Sequence, residues 1–242
     1  MKRTFWYAAM TKDEVQHSRM TFEEAVTINC LHTMIAIIDY AAGNLTSVAR
    51  AVTHIGFRCI VTNDTKEIGK AERIIFPGVG AAGSAMESIK RLGLDKAIKE
   101  AFSSGKPILG ICLGTQVIME YSEENDTKCL GIIDGKVLSF RFDEIRRNGA
   151  CLKIPHMGWN RIILKKKHFI LSDLKEEDEF YFVHGYYPEP DEVDHLIGTT
   201  EYGILFPSVI GYKNIIATQF HPEKSGVPGL SILKNFCVWN PC

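Results

Sequence analysis

With 242 residues, 45% hydrophobic and 24% charged, the chain has the composition of a globular protein long enough to bury a core, and its length suits one domain plus a tail. Its 28 basic side chains against 29 acidic ones leave a formal charge of -1, which argues against a dominant nucleic-acid role; Lys165-Lys166-Lys167 reads as a solvated turn. Seven cysteines (30, 59, 112, 129, 151, 237 and 242) form no C-x-x-C pair, so neither a disulfide framework, a metal site nor a cofactor is expected, and a reducing, cytoplasmic setting is. No apolar run approaches the roughly 18 residues of a membrane span, and the N-terminus lacks the apolar stretch of a secretory signal.

Residues 1–33 carry few aliphatics and no hydrophobic alternation, and are expected to be an extension outside the domain, which then spans 34–242. Met34 to Ile38 is a continuous apolar run fit for a strand buried on both faces. Asn44 opens a helix with Leu45, Val48, Ala49, Val52 and Ile55 at helical spacing, closed by Gly56. Strands are expected at Phe57 to Thr62, Arg73 to Phe76 and Pro107 to Ile111, with helix near 85–103 before the last. Short strands follow at Lys136 to Phe140, Arg161 to Leu164, Glu179 to Val183, Leu196 to Thr200, Leu205 to Ile210 and Asn214 to Gln219. A final amphipathic helix covers Gly229 to Val238. The pattern predicts an α/β fold: a mostly parallel central sheet flanked by helices, with a smaller antiparallel layer in the second half. Such sheets bind ligands beyond the carboxyl ends of their strands.

The segment Pro107-Ile-Leu-Gly110-Ile-Cys112-Leu-Gly114-Thr-Gln116 runs a buried strand into a G-x-C-x-G turn and then a predicted helix over Val117 to Tyr121. It has the pattern of a nucleophile elbow, in which small flanking residues permit the sharp turn that exposes the central side chain, and only the thiolate attacks well. An isolated cysteine is more often plain core, but the two glycines argue for the elbow. A thiol nucleophile needs a base and an orienting group. In Gln219-Phe220-His221-Pro222-Glu223 an extended backbone would place His221 and Glu223 on one face, so that the carboxylate orients the imidazole. The chain order of nucleophile, base and acid departs from that of α/β-hydrolases. Phe76-Pro77-Gly78-Val79-Gly80, after a buried strand, can aim the Gly80 N–H at an oxyanion, with the Leu113 N–H as second donor. A phosphate loop is the weaker reading, since the G-x-x-x-x-G-K-[ST] pattern is missing.

Together the elbow with Gln116, the H-P-E end and P-G-V-G resemble the triad-type, class I glutamine amidotransferases. Ile38-Asp-Tyr-Ala-Ala-Gly43-Asn44-Leu45, Pro155-His156-Met157-Gly158-Trp159-Asn160, Phe182-Val-His184-Gly185-Tyr-Tyr187 and His221-Pro-Glu-Lys-Ser225-Gly226 narrow this to the HisH family, the glutaminase subunits of imidazole glycerol phosphate synthases. The likeness covers residues 34–238. It implies a Cys112-His221-Glu223 triad, an oxyanion hole of Gly80 and Leu113, and glutamine held by Gly78, Gln116 and Gly185. It also implies a heterodimer with a β/α-barrel cyclase subunit of the HisF kind, docked around Asn44, His156, Met157, Trp159 and Asn160. Ammonia would pass to the cyclase, which makes imidazole glycerol phosphate and aminoimidazole carboxamide ribotide. An amidotransferase subunit feeding another acceptor, such as a surface-sugar pathway, and a non-catalytic scaffold are the alternatives. Two positions depart from the family pattern: Ala41 stands where glycine is common, and Gly185 where serine is.

Overall fold

The computed structural model describes residues 33–41, 43–141, 146–147 and 150–241. The expected extension, residues 1–33, lies outside them apart from Thr33. In chain order the elements are β1 (Met34–Ile38), α1 (Leu45–His54), β2 (Arg58–Thr62), α2 (Thr65–Lys70), β3 (Arg73–Gly78), α3 (Ala82–Arg91), α4 (Leu94–Ser103), β4 (Ile108–Cys112) and α5 (Leu113–Val117). Then follow β5 (Tyr121–Ser122), β6 (Thr127–Lys128), β7 (Gly135–Ser139), β8 (Arg146–Arg147), β9 (Ala150–Cys151), β10 (His156–Arg161) and β11 (Ile163–Leu164). The last are β12 (Glu179–His184), β13 (Tyr186–Pro190), β14 (Leu196–Tyr202), β15 (Ile204–Tyr212), β16 (Ile215–Thr218) and α6 (Gly226–Val238).

Eight strands form one sheet in the order β11-β14-β15-β16-β4-β3-β1-β2. The five from β16 to β2 run parallel, and β15, β14 and β11 add to its edge antiparallel. A smaller, mostly antiparallel sheet has the order β13-β7-β5-β6, and β10 pairs with β12. Alternation along β1 explains why its whole run is apolar. Ala36 and Ile38 face one core with Ile74, Phe76, Ile89 and Ile98, whereas Ile35 and Ile37 face the other with Val48, Val52 and Phe236. Arg73, only 8% exposed, ties the sheet to the last turn of α6 and the chain just beyond it by donating to the carbonyls of Phe236 and Trp239 and to Asn240 Oδ1.

Several expectations need correction. The helix after the elbow starts at once on Leu113 and ends at Val117, and Tyr121 is already in a strand. The 85–103 region is two helices parted by Gly93 in the left-handed region, φ 69°. Residues 156–161 form a strand ahead of the one expected from Arg161, because β12 offers them a full antiparallel partner from His156–His184 to Arg161–Glu179. Helix α2 was not foreseen: it is six residues long, buries only Ile68, and starts with the Asp64 carboxylate accepting from the Lys66 N–H at 2.8 Å.

Candidate active site

Parallel pairing brings three strand ends together. Gly78 at the end of β3 lies opposite Cys112 at the end of β4, and Ile111 lies opposite Thr218 at the end of β16. Cys112 sits at φ 53°, ψ -105°, a strained backbone for a residue with a side chain. Packing holds that turn in place. A Cβ on Gly114 would lie 1.7 Å from the Phe76 carbonyl oxygen, so only glycine lets α5 press against β3. On the other side the Thr115 hydroxyl donates to the Thr218 carbonyl at 2.6 Å.

After β16 the chain delivers His221 and Glu223. The extended geometry expected for them is not what joins them: Pro222–Lys224 is a 3-10 turn, and its curvature brings His221 Nδ1 to 2.8 Å from Glu223 Oε1. Both side chains are buried, at 2% and 1% exposure. Burial opposes charge on the imidazole, yet the Cys112 sulfur and the Glu223 carboxylate outweigh it and hold His221 more basic than usual. Its Nε2 is buried with no hydrogen-bond partner among the described residues and interacts electrostatically with that sulfur. Two residues that sequence reasoning left without this role complete the support. Asn44 Nδ2 donates to Glu223 Oε1 at 2.7 Å. Ser225 Oγ donates to the His221 carbonyl at 2.6 Å and accepts from the Tyr181 N–H at 3.0 Å, pinning the turn to β12. Asn44 occupies the N-cap of α1 but gives that helix no side-chain bond, which is the local price of turning its amide to the carboxylate.

Of the expected oxyanion donors, Gly80 adopts φ 106°, open to glycine only, in the turn after β3, and Leu113 begins α5, where an N–H has no intrahelical acceptor. The turn is anchored downstream by Glu124 Oε2, which accepts from the Ala82 N–H at 2.7 Å. Gly78 has a packing reason as well: a Cβ there would lie 1.7 Å from the buried Tyr40 hydroxyl. Gly185 links β12 to β13, its carbonyl accepting from the Phe140 N–H at 3.2 Å, and a Cβ on it would meet only Ile154 at an ordinary 3.6 Å. The other departure, Ala41, stands at φ 66°, where glycine is unstrained.

Gln116 is 4% exposed, with Nε2 3.0 Å from the Tyr186 carbonyl and 3.1 Å from Gln219 Oε1. The same carbonyl also receives His184 Nδ1 at 2.8 Å, and since a carbonyl only accepts, Nδ1 carries the proton. His184 Nε2 therefore accepts from His156 Nδ1 at 3.1 Å, and His156 Nε2 accepts from Asn160 Nδ2 at 3.3 Å. Burial keeps both rings neutral, pushing His156 down to about 4 and His184 to about 3. His156 is thus core: 2% exposed, stacked between Phe182 and Tyr202. This corrects its assignment to the interface. Its strand neighbours Met157 and Trp159 are 62% and 55% exposed, and Asn160 turns its amide inward to His156 and the Glu201 carbonyl. Among the described residues no group of three or more His, Cys, Asp or Glu could hold a metal ion.

The model of the family "Glutamine amidotransferase class-I" matches residues 36–239. The chain is 49% identical over 206 residues to the imidazole glycerol phosphate synthase subunit HisH of Nitratidesulfovibrio vulgaris, covering 85% of this chain and 97% of that one. It is 44% identical to the protein of the same name from Acinetobacter baylyi, covering 86% and 99%. Among solved structures, one described as a glutamine amidotransferase superposes with a TM-score of 0.62 at 15% identity, covering 84% of this chain and 99% of that one. A structure of PurLQS from Thermotoga maritima gives 0.62 at 15%, covering 84% and 97%. These two speak for the fold.

Proposed function

The chain belongs to the class I glutamine amidotransferase family, and from that premise we propose how it works as the glutaminase subunit of an imidazole glycerol phosphate synthase. The observation that carries the reading is the strained Cys112 at the strand ends beside the His221–Glu223–Asn44 chain of 2.8 and 2.7 Å bonds. The Cys112 proton passes to His221 Nε2, and the thiolate attacks the carboxamide carbon of glutamine. The N–H groups of Gly80 and Leu113 stabilise the resulting oxyanion. His221 then returns the proton to the departing ammonia, leaving a γ-glutamyl thioester, which water cleaves to glutamate and free thiol. Glu223, held by Asn44, keeps the imidazolium oriented. With both Nε2 protons of Gln116 engaged within the protein, its Oε1 is the atom left to accept from the α-ammonium of the substrate, between Gly78 and Gly185.

Ammonia released into water is protonated and no longer a nucleophile, so the reading includes a partner, a β/α-barrel cyclase, that receives it directly. Support comes from the exposed apolar side chains Met157, Trp159 and Ile163 beside the Asn160 end of β10, which suit a buried interface centre. A cytoplasmic setting agrees with Cys59, Cys112 and Cys129 standing as thiols among the described residues. Among the described residues no helix is long and apolar enough to cross a membrane.

The test uses the full chain mixed with a histidine-pathway cyclase. Cys112→Ala is expected to abolish glutamine-dependent product formation while ammonia-dependent synthesis by the cyclase persists. Trp159→Ala is expected to weaken the complex by about 1–2 kcal/mol, or roughly 5- to 30-fold, with the thermal midpoint unchanged. Retained glutamine use by Cys112→Ala would overturn the chemistry, and undiminished binding by Trp159→Ala would move the interface elsewhere.

A further inference from the structure

The sulfur of Cys112 has a neighbour that the triad does not use. Gln219, fully buried just after β16, places its Nε2 3.7 Å from Sγ. Which end of that amide faces the sulfur follows from the chemistry of the chain behind it. The Tyr186 carbonyl can only accept, so the Gln116 atom 3.0 Å from it is the NH2 group. That NH2 also lies 3.1 Å from Gln219, and a donor-only group requires an oxygen there. Gln219 therefore turns its Oε1 to Gln116 and its NH2 to Cys112. The arrangement cannot invert without setting two donors against each other. The backbone is held as well, the Gln219 N–H donating to the Ser208 carbonyl at 2.9 Å.

An N–H directed at sulfur favours the thiolate over the thiol, as hydrogen bonding to a charged form does generally. One group opposes it: the Val183 carbonyl, 3.9 Å from Sγ, accepts from the protonated thiol. The amide is the nearer of the two and is oriented from behind, whereas an S–H bond at that length is weak. Resting on the assignment of Cys112 as nucleophile, we propose that Gln219 is a further residue of the catalytic machinery, an amide donor aimed by Gln116 that stabilises the Cys112 thiolate as its proton moves to His221 Nε2. The same Gln116 is the residue proposed to meet substrate, so its amide joins the substrate pocket to the sulfur.

The experiment follows alkylation of Cys112 by iodoacetamide from pH 5 to 10 in the full chain, with the labelled peptide identified by mass spectrometry and Cys59 as internal reference. Gln219→Leu is expected to raise the midpoint of the Cys112 profile by about one pH unit, with about tenfold slower labelling below it. Gln219→Glu, which keeps the shape and the bond from Gln116 but sets a carboxylate against the sulfur, is expected to raise it further and covers the case in which the leucine variant fails to fold. Gln116→Leu is expected to give a smaller rise. Unmoved midpoints in folded Gln219→Leu or Gln219→Glu would overturn the proposal while leaving the nucleophile assignment intact. A wild-type chain whose Cys112 labels no faster than Cys59 would overturn both.

Discussion

Asn44 shows how a residue that looks like a helix cap or a docking contact can serve the chemistry. Its amide is one of two donors on Glu223 Oε1, the other being His221 Nδ1. Glu223 Oε2 is buried without a partner among the described residues, so removing Asn44 leaves this carboxylate with a single described bond. A hydrogen bond to a charged group contributes about 1.5 kcal/mol or more, and about 1.4 kcal/mol is a tenfold change in rate. Asn44→Ala is therefore expected to lower kcat/KM for glutamine by about tenfold in the assembled enzyme. Measuring the affinity for the cyclase alongside separates the two roles: unchanged binding with slower turnover marks a positioning residue, and lost binding with normal turnover would return Asn44 to the interface.

At the scale of elements, the elbow works because β3, β4 and α5 approach one another more closely than side chains allow. The Phe76 carbonyl fills the place of a Gly114 Cβ, so Gly114→Ala forces β3 and α5 apart. Overpacking of this kind costs about 3 kcal/mol, equivalent to roughly 6–12 °C in a domain of this size. The contrast is Gly185→Ala, where the new methyl meets only Ile154 at 3.6 Å and the stability change should stay within about 0.5 kcal/mol. Thermal melts of the two variants check this, and equal midpoints would refute the packing account of the elbow.

For the whole molecule, the histidines set how stability responds to acid. His156 and His184 are held neutral by burial, with values of about 4 and about 3 against an ordinary 6.5. Because the folded values are depressed, the unfolded chain takes up protons first: stability is whole above pH 6.5 and falls from there to about pH 4 for His156 and about pH 3 for His184. His221, raised in the folded state, acts with the opposite sign; its contribution is complete below pH 6.5 and is lost only on going alkaline, so it does not offset the acid loss. Urea unfolding at pH 7 and pH 5 should differ by on the order of 1–2 kcal/mol for each of the two buried rings. Glu123 and Asp173, whose carboxyls are held below their usual range, lose their contribution only at lower pH. His156→Gln with His184→Gln should flatten the dependence between pH 7 and 5, and an unchanged slope in the double variant would place the acid sensitivity elsewhere.

Local pattern alone sufficed wherever one element's own residues settle its state. The apolar runs at Met34, Arg73 and Pro107 could only be strands buried on both faces, the G-x-C-x-G turn announced the sharp strand-to-helix junction, and H-P-E placed an imidazole and a carboxylate two residues apart, where they meet. What stayed hidden depended on partners far away in the chain. Residues 156–161 carry no strong strand signal and become a strand because β12 pairs with them, which buries His156 while leaving Trp159 at the surface. Helix α2 is too short for a periodicity to declare itself. Asn44 meets Glu223 across 179 positions, and Gln219 meets Cys112 across 107. Parallel strands end side by side whatever their separation in sequence, so the composition of each strand foretells the sheet, but only the folded order of strands decides which polar side chains meet around the sulfur.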